Sequence, residues 1–136
     1  MKYAILANPK SGKFSVDRKR RILTLFAEIL GDCDKEIHGL DTTSPNELKE
    51  CARGLEDKVE TLIVAGGDGT LSDVINAVNN WVTLSYIPFG SGNAIRYALN
   101  LPWSFKNIVR GIKEGKEHTI DLLECNGHKG LFSSIG

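Results

Sequence analysis

Gly66-Gly67-Asp68-Gly69-Thr70 is the stretch of this chain whose residue types could do chemistry. It follows the apolar run 61–65 and precedes a helix-like stretch, 71–78. A strand that ends in glycines and reopens as a helix presents backbone N–H groups at the positive end of the helix dipole. No Cβ then blocks an approaching anion. The pattern predicts a phosphate site holding one carboxylate, Asp68. An ordinary tight turn would use the same glycines, with Asp68 tied to its own backbone, so one loop does not decide.

Two further loops have the same character. Asn8-Pro9-Lys10-Ser11-Gly12-Lys13 follows an apolar strand at 3–7, and Pro88-Phe89-Gly90-Ser91-Gly92-Asn93-Ala94 follows another at 83–87. In an open parallel sheet all three loops lie at the carboxyl ends of strands, where ligands bind in such folds. Three polar, glycine-rich loops on one rim predict one shared site, with Gly67 and Gly92 keeping it clear and taking up positive φ.

The elements that must position these loops alternate. Residues 16–30 carry apolar side chains at Val16, Ile22, Leu25, Phe26, Ile29 and Leu30, a helical stripe stopped by Gly31. A strand at about 35–40 leads to Ser44-Pro45-Asn46-Glu47, a capping box with proline at the first helical position, and a helix to about Arg53. Thr70-Leu71-Ser72-Asp73 is expected to open the next helix similarly; 93–99 and 104–112 read as short helices around Pro102. Such alternation predicts an α/β fold, a three-layer domain with a mainly parallel sheet and right-handed crossovers. The last segment differs: 117–125, Asn126-Gly127 and 128–135 read as a β-hairpin. A strand that runs to Gly136 without a partner is an edge liability, to be covered by self-association or by further chain.

As an ordered set, NPKSGK at Asn8, GGDGT at Gly66 and GSGNA at Gly90 resemble the diacylglycerol kinase catalytic domain family. That family includes diacylglycerol kinases, sphingosine and other long-chain-base kinases and bacterial lipid kinases, and is more distantly related to NAD kinases. The resemblance runs from the first strand to Ile135. The wording GSGNA is closer to the long-chain-base and bacterial branches than to diacylglycerol kinases, where Thr and Asp commonly replace Ser91 and Ala94. The resemblance implies a Rossmann-like, ATP-dependent lipid kinase that uses ATP and Mg2+ and passes the γ-phosphoryl to a hydroxyl of diacylglycerol or a long-chain base. Gly66, Gly67, Gly69, Thr70 and Ser72 would then meet phosphates through N–H groups and hydroxyls, joined by Ser91, Gly92 and Asn93 from the neighbouring loop. Asn8, Ser11 and Gly12 match the family's first nucleotide loop, and Thr42 matches a threonine near the nucleotide. Asp68 becomes the catalytic residue, helping to hold Mg2+ or accepting the proton of the attacking hydroxyl. Sphingosine and NAD kinases use this Asp as the base, whereas some bacterial lipid kinases use a carboxylate of a second domain. Asp121 and Arg96 also have family counterparts, which would put Asp121 in an inter-domain cleft; a strand-end Asp satisfied by backbone explains Asp121 equally, and an exposed helical Arg is the default reading of Arg96.

In related lipid kinases a β-rich second domain follows the nucleotide domain. The chain therefore reads as an amino-terminal nucleotide-binding domain, 1–116, followed by a hairpin at 117–136 that starts a truncated second domain. Two alternatives remain: a non-catalytic nucleotide-binding or regulatory module, and an NAD-kinase-like enzyme.

Composition narrows the partners. Seventeen basic and 17 acidic residues give no net charge, which disfavours nucleic acid. At 136 residues, 41% hydrophobic and 25% charged, the chain has the size and make-up of one soluble domain. Cys33, Cys51 and Cys125 are odd in number and lack CxxC spacing, which suits reduced thiols in a cytoplasmic protein. No run approaches the ~20 apolar residues of a membrane span, so a lipid substrate would be met at the membrane surface, from outside. The run Arg18-Lys19-Arg20-Arg21 reads as the solvated side of a helix, with anionic headgroups as the alternative contact. Lys10 and Lys13 lack Walker spacing and read as solvated. His38, His118 and His128 share no spacing and are assigned neither metal nor catalysis.

Overall fold

A computed structural model describes residues 2–12, 14–78, 82–88, 110, 122–125 and 128–131. Strands β1 (Tyr3–Ala7), β2 (Cys33–His38), β3 (Thr61–Gly66) and β4 (Thr83–Pro88) form one parallel sheet in the order β2-β1-β3-β4. Helices α1 (Val16–Leu30), α2 (Pro45–Leu55) and α3 (Asp68–Ala77) are the crossovers and cover the sheet. A sheet covered on both faces needs strands that are apolar throughout, which is why β1 and β3 are continuous hydrophobic runs.

The two-residue period of the strands divides their side chains between two cores. Tyr3, Ile5, Ala7, Ile63, Ala65 and Ile87 pack with Leu23, Phe26, Ala27 and Leu30 of α1. Ala4, Leu6, Leu62, Val64 and Tyr86 pack with Leu48, Ala52 and Leu55 of α2 and Leu71 and Val74 of α3. The domain thus has the three layers that the alternation predicts. An antiparallel pair, β5 (Leu122–Cys125) and β6 (His128–Leu131), forms a separate sheet at the expected hairpin.

Local chemistry sets the helix ends. Ser15 accepts from the Arg18 N–H at 3.2 Å to start α1, and Gly31, at φ 72°, ends it where the stripe stops. Ser44 accepts from the Glu47 N–H at 3.3 Å to start α2. The Glu47 carboxylate returns to the Thr43 N–H at 2.9 Å, one residue before the cap.

Two boundaries depart from expectation. The second strand lies two residues earlier than 35–40 because Gly39, at φ 91°, turns the chain out of the sheet. A Cβ at Gly39 would stand 2.6 Å from the Ala7 carbonyl oxygen. The third helix opens at Asp68 rather than at Thr70, because extended Gly67 (φ −98°, ψ −175°) is its N-cap and its carbonyl takes the Leu71 N–H at 3.2 Å. Thr70 is therefore buried within the first turn instead of capping it.

Of the expected helices at 93–99 and 104–112 only Arg110 is among the described residues, and it is helical. Asn126 and Gly127 also lie outside them.

Candidate functional site

Parallel pairing places the ends of all four strands at one edge. Leu6 lies beside His38, Ala7 beside Ala65 and Gly66 beside Pro88, so β1, β2, β3 and β4 all end on the same side of the sheet. The loop starting at Asn8, the turn carrying Thr42 and the Gly66–Thr70 stretch therefore share a rim. Ser91, Gly92 and Asn93 come after β4 in the sequence and lie outside the described residues, as do Lys13, Arg96 and Asp121.

The first and second loops are joined directly. Asn8 Nδ2 donates to Thr70 Oγ1 at 2.8 Å, Ser11 Oγ lies 3.2 Å from the same oxygen, and the Gly67 N–H donates to Ser11 Oγ at 3.3 Å. Asn8 Oδ1 meanwhile accepts from the Lys10 N–H at 2.9 Å, so both ends of that amide are engaged. Ser11 and Thr70 are buried, and Gly12 turns the chain at φ 71°. Behind β3, Tyr86 Oη donates to the Gly66 carbonyl at 2.9 Å.

The glycines of the second loop do different jobs. A Cβ at Gly66 would collide with the Thr70 side chain, at 2.7 Å from Oγ1, so this position is small because Thr70 packs there. Gly69 is exposed and a Cβ there would meet nothing within 4 Å, which leaves open space over the helix start. Gly67 sits at φ −98°, a backbone any residue adopts, so positive φ is not the reason for glycine at this position.

Asp68 is the first residue of α3 and half-buried; Ser72 lies one turn on and is also half-buried. A carboxylate in the first turn complements the helix dipole. No side chain caps α3, whereas Ser15 and Ser44 cap α1 and α2.

Thr42 Oγ1 donates to the Gly39 carbonyl at 2.6 Å and closes the turn after β2. It borders a notch of about 50 Å³ with Asn8, Pro9 and Lys10, which brings the first loop and Thr42 together. Small-molecule pockets run to roughly 300–1,000 Å³, so this notch is an edge of the rim and not an enclosed pocket. Lys10 is exposed, its ammonium 3.4 Å from the Thr43 carbonyl.

One basic residue contradicts the sequence-based expectation. Lys19 is 0% exposed, and its Nζ donates to the carbonyls of Asn8 at 3.2 Å and Pro9 at 2.7 Å. Its neighbours Arg18, Arg20 and Arg21 are exposed as expected. The missed signal was helical spacing: Lys19 lies four residues before Leu23 and seven before Phe26, on the face that meets the sheet.

Away from the rim, a bulge in β2 sets Cys33 beside Tyr3 and Ile37 beside Ile5. Four residues there span what two span on β1, and His38 Nε2 comes within 2.9 Å of Asp34 Oδ2. With Glu36 these side chains bring ligand-type atoms within 4.8 Å of one another, a proximity that the scattered histidines gave no hint of. Burial pushes the Cys33 thiol up to about 11 and raises Cys51 as well, which makes both poor nucleophiles.

A parallel sheet between two helical layers, with polar glycine-rich loops gathered on its carboxyl rim, defines a doubly wound, Rossmann-like α/β domain. The chain belongs to the diacylglycerol kinase catalytic domain family, whose model matches residues 2–125. It is 35% identical to a diacylglycerol kinase of Staphylococcus saprophyticus and 33% identical to one of Staphylococcus carnosus, in each case over 97% of this chain and 44% of the relative. The chain thus spans less than half the length of these curated relatives. A crystal structure of a diacylglycerol kinase from Bacillus anthracis superposes with a TM-score of 0.73 at 23% identity, covering 94% of this chain and 45% of that one. That likeness shows the shared fold. Among the described residues, no helix is long and apolar enough to cross a membrane.

Proposed function

We propose that this chain is the nucleotide-binding part of an ATP-dependent lipid kinase, which transfers the γ-phosphoryl of MgATP to a hydroxyl of a lipid such as diacylglycerol or a long-chain base. The observation that carries this reading is the joining of the first two loops through Asn8, Ser11 and Thr70, next to the uncapped start of α3. Such a rim offers what phosphates bind: the N–H groups of a first helical turn, hydroxyls, and open space over Gly69. The names of the relatives support the substrate class.

In this reading Gly66, Gly67, Gly69, Thr70 and Ser72 hold phosphates from one side, Asn8, Ser11 and Gly12 from a second, and Ser91, Gly92 and Asn93 from a third, with Thr42 at the border. Mg2+ bound with ATP supplies charge neutralisation at the phosphates. Asp68 would hold that ion, directly or through water, or take the proton of the acceptor hydroxyl. Positioning and charge do most of the work in phosphoryl transfer, so a rim of glycines, hydroxyls and one acid is chemically sufficient on the nucleotide side. The lipid would be met at the surface of the membrane facing the ATP pool, the cytoplasmic one. Residues 1–116 form the nucleotide domain, and the hairpin segment 117–136 leads toward the part that longer relatives possess.

Calorimetric titration with MgATP, alongside transfer of label from ATP to diacylglycerol or sphingosine in mixed micelles, tests this. Binding with transfer supports the proposal. Absence of MgATP binding refutes it, and binding without transfer to any lipid favours a non-catalytic nucleotide module.

A further inference from the structure

We propose that Lys19 is a positioning residue for the nucleotide: by holding the Asn8 and Pro9 carbonyls, its ammonium sets the one conformation in which the first loop meets both Thr70 and the phosphates. The inference rests on the nucleotide-binding role proposed above and adds a residue that neither the motifs nor the family resemblance pointed to.

Lysine is almost never fully buried without a charged partner. Lys19 is 0% exposed, and among the described residues no carboxylate forms an ion pair with it. Its partners are two neutral carbonyls, both in the first loop. Burial pushes its pKa below the ordinary value. A buried cation with two neutral acceptors is an expensive way to stabilise a helix, since an apolar side chain would fill the same core position.

What the ammonium does control is a peptide plane. In a trans peptide the C=O and N–H point in opposite directions. The Pro9–Lys10 unit is gripped at both: its carbonyl accepts from Lys19 Nζ at 2.7 Å, and its N–H donates to Asn8 Oδ1 at 2.9 Å. That second bond orients the Asn8 amide, so that Nδ2 faces Thr70 Oγ1 at 2.8 Å. Lys19 therefore acts on the rim through the Pro9–Lys10 peptide, Asn8 and Thr70 in turn. It also fixes a positive charge behind a loop that would face phosphates, in surroundings too dry to screen it fully.

The test compares wild type with Lys19→Met, which keeps the length and loses the donor, and with Lys19→Arg, which restores a cationic donor. MgATP binding by the folded protein should weaken at least about tenfold in K19M, the scale for hydrogen bonds to a charged group, and recover in part in K19R. Amide hydrogen exchange should rise at Lys10 and Gly67 while β1 and β3 amides keep their protection. Wild-type affinity in folded K19M, or equal losses in K19M and K19R, would overturn the proposal. Should K19M not fold, wild type labelled with 15N-lysine decides. A slowly exchanging Lys19 ammonium signal that shifts with MgATP supports the proposal, and one that ignores MgATP overturns it. A wild type that binds no MgATP would refute the function proposed above, and the exchange at Lys10 and Gly67 in K19M, or in K19R if K19M does not fold, would still show whether Lys19 holds the loop.

Discussion

Replacing Thr70 by Val removes one hydroxyl and almost no volume from the centre of the rim. Thr70 is 4% exposed, and its Oγ1 meets Asn8 Nδ2 at 2.8 Å and Ser11 Oγ at 3.2 Å. Each such hydrogen bond contributes about 1 kcal/mol net, and a buried partner left without one costs somewhat more. Ser11 is buried and cannot recover its bond from water, whereas half-buried Asn8 can do so in part. The two bonds together should therefore cost about 2 kcal/mol. Val and Thr have similar helix propensities, so α3 itself adds little to that figure. Urea unfolding followed by far-ultraviolet circular dichroism should show a lower midpoint at unchanged slope, since the surface exposed on unfolding is the same. MgATP affinity of the folded variant should fall too, because the first loop is no longer held to the second. A loss below about 0.5 kcal/mol at constant slope would mean that the hydroxyl holds nothing and that packing alone joins the loops.

Asp68→Asn keeps volume and removes charge; lipid phosphorylation should drop at least about a hundredfold with the melting temperature nearly unchanged, and near-normal turnover would eliminate Asp68 as an essential group. Gly39→Ala should destabilise by at least about 2 kcal/mol, because φ 91° is strained for alanine and its Cβ would stand 2.6 Å from the Ala7 oxygen; thermal melts decide this. The hydrogen bond with His38, ahead of smaller causes, holds the Asp34 carboxyl below its ordinary range. A depressed folded-state pKa stabilises above the unfolded value, near ~3.9 for Asp, and that contribution disappears as pH falls through the lower folded value. Wild type should therefore lose melting temperature more steeply than His38→Ala as the medium is acidified below about pH 4. Parallel curves would show that the pair adds nothing.

The elements were legible because their signals are local. Gly31 ends α1 at the residue the sequence marks, and the apolar runs at 3–7 and 61–65 became β1 and β3, since caps and strand burial act over a few neighbouring positions. A reciprocal cap between Ser44 and Glu47 was equally readable, although its return bond goes to Thr43. What residue order along the chain could not supply is which strands lie side by side. The order β2-β1-β3-β4 sets Asn8 and Ser11 against a threonine 62 and 59 residues away, and that adjacency makes one rim of two loops. Lys19 sits in a run of four basic residues whose composition suggests a wet surface, yet its helical phase points it at the sheet and two carbonyls receive it. Asp34 and His38 meet because β2 bulges against β1, an irregularity that exists only once the two strands are paired. Capping and alternation are decided within a few residues, whereas the partner of a hydroxyl or a buried ammonium is decided by how distant segments stack.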